Sequence, residues 1–173
     1  MRLLADLDVD APASSLFPWV EDLDRYPEWF GLVRSAVPEP TTGESNGESN
    51  GERTGASTGG PAWDVVLVGR LGPLRRLKRL RMARVEHRVD VSSGRYRARF
   101  VRAELDGVDH ATWELAADVA PLPGGARLTM ALHYSGRFWA PPLQRLLDHE
   151  ITLAKPRLAA LAQGGGDAVR TGR

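Results

Sequence analysis

Cysteine is absent from this chain of 173 residues, which excludes disulfides, thiolate metal sites and a cysteine nucleophile together. Lysine is nearly absent. Lys78 and Lys155 stand alone against 21 arginines, a bias that, with the abundant Ala and Gly, points to a GC-rich bacterial genome. Neither sign of charge prevails: 23 basic residues face 22 acidic ones, and a net charge of +1 gives no global reason to expect nucleic acid or an anionic membrane. No apolar run approaches the roughly 18 to 20 residues that a membrane-spanning helix needs. The opening Met1-Arg2-Leu3-Leu4-Ala5-Asp6 reaches an acidic residue too soon for a signal peptide, so a cytoplasmic location is expected. There is no phosphate-binding glycine loop either, since Gly43, Gly47 and Gly51 recur inside a repeat and not between a strand and a helix.

What the chain does contain is alternation. Leu3, Ala5, Leu7 and Val9 fall on one face of residues 2–10 and Asp6, Asp8 and Asp10 on the other, the signature of a half-buried strand. Pro12 can open a short helix, Pro18 should kink or split it, and Asp24 can cap a second short turn through Phe30. Further strands are predicted at 32–38, 63–70, 77–91, 95–102, 108–119 and 126–134, and the short turn signals between successive ones imply antiparallel hairpins. Residues 40–61 differ: they carry a tandem Gly-Glu-Ser-Asn repeat with no apolar side chain larger than Ala56, so a disordered loop is expected there.

The most informative stretch comes last. In 126–134, Leu128, Met130, Leu132 and Tyr134 share one face, the corner Phe138-Trp139-Ala140-Pro141-Pro142 follows, and then roughly 22 residues of helical pattern, about 33 Å long. A helix of that length needs a large apolar surface, and the rest of the chain offers only strands. The predicted fold is therefore α+β: a seven-stranded antiparallel sheet curled around a long C-terminal helix, with two short helices after the first strand and a cavity between sheet and helix. Residues 1–163 form a single domain in this reading, with a flexible tail at 164–173. Pro156 should bend the helix, and that bend is expected to open the cavity.

This order of elements resembles the helix-grip fold of the START-like (SRPBCC, Bet v 1-like) superfamily. The carriers are the strand-to-helix entry Val9-Asp10-Ala11-Pro12-Ala13, the segment Leu23-Asp24-Arg25-Tyr26-Pro27-Glu28-Trp29, and the final helix after an aromatic-proline corner. The resemblance spans nearly the whole chain outside 40–61 and looks nearest to bacterial polyketide cyclase/dehydrase-like and COQ10/RatA-like members. It implies a cavity for an apolar ligand, polyketide-, lipid- or isoprenoid-like, and, if there is catalysis, non-redox cyclisation or dehydration.

On a helical wheel, Leu143, Leu147, Ile151, Ala154, Leu158 and Leu161 form a stripe, with Glu150 in its middle and Arg157 at its edge. Glu150 is either a ligand contact or general acid/base, or an ion-pair partner of Arg157 or a sheet arginine. His87 shares a predicted inward face with Ala83, Val85, Val89 and Val91; it either meets a ligand or Glu150, or is a satisfied core histidine. Trp29, Phe30, Tyr96, Phe100, Trp113, Met130 and Tyr134 are candidates for the pocket lining, with Leu147, Ala154 and Arg157 from the helix. No metal and no cofactor are expected, because three ligands do not converge. A rival reading rests on Arg70, Arg75, Arg76, Lys78, Arg79, Arg81 and Arg84, a basic run that would meet RNA or an anionic membrane if it were not a solvated, internally paired face. The strand phase slips near Met82, leaving open which of these point inward.

Overall fold

The computed structural model describes residues 1–40, 60–71, 74–108, 110–136 and 140–164, excepting the side chains of 70–76 and 140–143. The repeat within the expected loop at 40–61 and nearly all of the expected tail lie outside the described residues. The strands are β1 (Arg2–Val9), β2 (Val33–Pro38), β3 (Ala62–Leu71), β4 (Leu74–Asp90), β5 (Arg95–Arg102), β6 (Trp113–Leu122) and β7 (Gly125–Tyr134). The helices are α1 (Ala13–Leu16) and α2 (Ala140–Gly164), and two short 3-10 helices, Phe17–Trp19 and Leu23–Glu28, follow α1.

All pairings are antiparallel, and the sheet runs β1-β7-β6-β5-β4-β3-β2, curled as a half-barrel with α2 against it. Register makes the alternation work. Leu3 faces Leu132, Ala5 faces Met130 and Leu7 faces Leu128, so the apolar residues of β1 and β7 share the concave side. The other side is polar and charge-balanced, with Arg127 on Asp8, Arg97 on Asp118, and Arg99 on Glu114. Such exposed pairs add little stability, but they keep that face wet and leave the concave face to form the core.

The short helices close one end of this half-barrel. Leu16, Phe17, Val20 and Leu23 are buried against Ala98, Ala117 and Val119 from the sheet, with Ala162 of α2 beside them. Gly125 permits the turn from β1 toward α1, because a side-chain methyl there would collide with the Val9 carbonyl oxygen and crowd the Asp10 backbone. Both obstacles are main chain and cannot rotate away. Gly125→Ala should therefore cost about 1–3 kcal/mol, the usual penalty of overpacking, which a urea melt would register.

Two local expectations change. β6 begins at Trp113 and not at Val108: the Val108 amide donates to the Asp106 carboxylate and His110 bonds the other carboxylate oxygen, so both are tied to Asp106 outside the sheet. The second short helix starts ahead of Asp24, at Leu23, and its preceding residue Asp22 makes no side-chain cap bond. α2 continues through Pro156, which lies on its exposed side.

Candidate functional site

Between the concave face and α2 lies a cavity of about 410 Å³, within the range of small-molecule sites. Its wall is overwhelmingly apolar. Leu3, Ala5 and Leu7 of β1, Met130 and Leu132 of β7, and Leu67 and Val68 of β3 supply the sheet side. Leu146, Leu147, Ile151, Ala154 and Leu158 supply the helix side. Space remains partly because small residues sit on both walls, Ala5 on the sheet and Ala154 on the helix.

Of the residues expected to line a pocket, Trp29, Phe30, Trp113, Met130, Tyr134, Leu147 and Ala154 do so. Two aromatics belong to the core instead. Phe100 is wholly buried, edge-on to Tyr26 and Trp63 at centroid distances of 6.5 and 5.7 Å, and Tyr96 stacks on Phe17 at 5.1 Å. Next to the cavity, Tyr26 donates to the Val20 carbonyl at 3.2 Å, and burial pushes its phenol far above the usual range. The Trp29 indole N–H donates to the Trp19 carbonyl at 3.1 Å, pinning one aromatic of the wall to the preceding turn.

Glu150 and Arg157 are brought together, but outside the cavity wall. A Cβ on Gly31 would lie 2.7 Å from Glu150 Oε2 and 3.9 Å from an Arg157 guanidinium nitrogen, so both side chains reach the backbone after Phe30. The buried stripe of α2 is centred on Leu147, Ala154, Leu158 and Ala162, which puts Glu150 on its shoulder and leaves Arg157 exposed. Although Glu150 lies between Leu147 and Ala154 in sequence, three steps of 100° turn it about 60° from Leu147, on the side away from Ile151.

His87 takes the concave face, paired with the buried Ala98, but lies outside the cavity wall. The register between β4 and β5 shifts between Arg84 and Glu86, a bulge that resets which residues face the concave side. Ahead of the bulge Met82 lines the cavity and Arg84 follows it inward, where it donates to the Glu21 carbonyl and to Asp22, each at 2.8 Å. His87 Nε2 is 2.8 Å from Glu21 Oε2, with its ring 5.6 Å from Phe17, while Val89 and Val91 are exposed. These contacts tie the short helices to β4. Burial raises the Asp22 pKa, opposed by the nearby Arg84 charge.

Among the described residues of the basic run, Arg79 pairs with Asp64, Arg81 bonds Glu39 through two nitrogens, and Arg84 holds Asp22. The side chains of Arg70, Arg75 and Arg76 lie outside the described residues. The described arginines are thus internally paired, and nothing supports a nucleic-acid or membrane partner for them.

Lys78 is the exception, and its place in the wall was missed. It lines the cavity with its ammonium over the rings of Trp113 and Tyr134, at 5.2 and 5.8 Å. Burial lowers its pKa, the Arg102 charge lowers it further, and Glu104 partly compensates. Lys155 of α2 is the second cation in the wall. A signal was available: Lys78 lies two and four residues before Leu80 and Met82, hence on their side of an unbroken strand.

No family model and no curated protein matches the chain. Solved structures do. A protein from Chromobacterium violaceum is 15% identical, with 93% of this chain and 96% of that one covered at a TM-score of 0.55. A START superfamily protein from Mycobacterium smegmatis is 14% identical, with coverages of 94% and 97% and a TM-score of 0.55. Ara h 8.0201, a Bet v 1 allergen, is 12% identical, with coverages of 95% and 98% and a TM-score of 0.54. Seven antiparallel strands curled against one long C-terminal helix, shared over nearly the full length of these chains, make this a START/Bet v 1-like helix-grip fold.

Proposed function

We propose that this protein binds an apolar small molecule, polyketide-, lipid- or isoprenoid-like, in the cavity between the sheet and α2. The observation that carries the reading is a void of about 410 Å³ walled almost entirely by aliphatic and aromatic side chains. Apolar surface that a well-packed core would cover is held open here, and an apolar ligand gains by leaving water for it. The reading is one of binding: Glu150 and His87, the residues expected to move a proton in cyclisation or dehydration, both lie outside the wall.

Titration with N-phenylnaphthylamine, a neutral dye that brightens in apolar surroundings, tests the reading. Saturable enhancement at one equivalent, displaced by an aliphatic competitor, is the expected result. A dye that stays dark at micromolar protein would refute it.

A further inference from the structure

The chain writes its positive charge as arginine 21 times and as lysine twice, yet both lysines line the cavity and no described arginine does. The two side chains differ chemically. Arginine offers a broad, planar, permanently charged fork, whereas lysine offers a compact point charge on a flexible stem that tolerates partial desolvation. In a sequence so biased toward arginine, the confinement of lysine to the cavity wall marks a place where the compact cation is what the site uses.

Lys78 has the surroundings of an anchor. None of the ion pairs among the described residues involves it. Trp113 and Tyr134, paired across β6 and β7, present their rings to its ammonium and replace part of the lost hydration. The adjacent Arg102–Glu104 pair, at 2.7 Å, is neutral as a unit, so the positive charge at this end of the cavity remains that of Lys78. A further donor lies close by: the Trp113 indole N–H is buried and has no acceptor among the described residues. A cation with no ion pair among the described residues, set in an apolar wall between two aromatic faces, is a seat for an anionic acceptor.

We propose that the cavity takes an acidic amphiphile, its carboxylate seated against Lys78 beside Trp113 and Tyr134 and its apolar tail lying between β1, β7 and α2. This rests on the reading of the cavity as an apolar ligand site and adds the class of head group. Lys155 lies farther along the wall, next to Ala154 on the helix, and no aromatic pair frames it among the described residues. The carboxylate belongs at Lys78.

Dodecanoic acid, dodecanol and methyl dodecanoate share one tail, so competition of each against N-phenylnaphthylamine at neutral pH isolates the head group. Wild-type protein should bind dodecanoate about tenfold or more tighter than dodecanol or the ester, the scale of one charge-assisted hydrogen bond. Lys78→Met should bring the acid-to-alcohol ratio close to one, and Lys155→Met should leave most of it. Because the ratio is read within each variant, a general loss of affinity cancels. A wild-type ratio near one, with the dye bound, would overturn the carboxylate assignment while the apolar site stands. A ratio that survives Lys78→Met would overturn the assignment to this lysine, and failure of the dye to bind would sink the apolar site along with it.

Discussion

Ala154→Phe should weaken binding of N-phenylnaphthylamine by about tenfold or more, a change of about 1.4 kcal/mol or greater. Ala154 is buried on the inner side of α2, and its methyl group is part of the cavity wall. A phenyl ring placed there has the void itself to enter, and volume taken by the ring is volume lost to the ligand. The substitution need not cost stability, because the ring gains contacts that the empty cavity lacks. Fluorescence titration and a thermal melt on the same sample separate the two effects. A variant that binds the dye as well as wild type, with its melting temperature unchanged, would show that ligand does not occupy the space under α2.

The second large effect is on folding. Phe100→Ala should destabilise the protein by about 3–5 kcal/mol, the range for deleting a fully buried aromatic ring. Phe100 has no exposed surface and holds two other aromatics edge-on, Tyr26 from the short-helix segment and Trp63 from β3. Its loss would open a hole where sheet and short helices meet, without removing any residue of the cavity wall. For a chain of this length the melting temperature should fall on the order of ten degrees. A shift of only a degree or two would mean that the neighbouring rings collapse into the space, making this part of the core softer than its burial suggests.

Strand faces were legible in the sequence wherever alternation ran unbroken. β1, β6 and β7 turn the same residues inward that their pattern assigns, and with them came Trp113, Met130 and Tyr134 of the wall. A bulge is not written in a strand's own residues. The shift between Arg84 and Glu86 puts both Arg84 and His87 on the inner face, and the short-helix segment covers them there, so His87 meets Glu21 and Phe17 instead of the cavity. Glu150 differs in its reason: a residue that lies between two stripe members in sequence need not lie between them on the wheel, and 100° per residue sets it about 60° from Leu147. Lys78 was hidden by its company. Surrounded by arginines, it read as one more charge of a basic run, although its parity with Leu80 and Met82 pointed inward.

The sheet order has a consequence for how the protein is made. Among the strands of this sheet β1 is synthesised first, yet its partner is β7, and Arg2 cannot pair with His133 until the strands between them have been made. Loop closure over such a span is entropically costly, and non-local pairing of this kind slows folding. Throughout that wait Leu3, Leu7 and Val9 have no sheet to cover them, which makes the first ten residues the segment most open to misassembly and to chaperone capture. Because Leu3, Ala5 and Leu7 also complete one wall, a hairpin-by-hairpin folding chain assembles its cavity last.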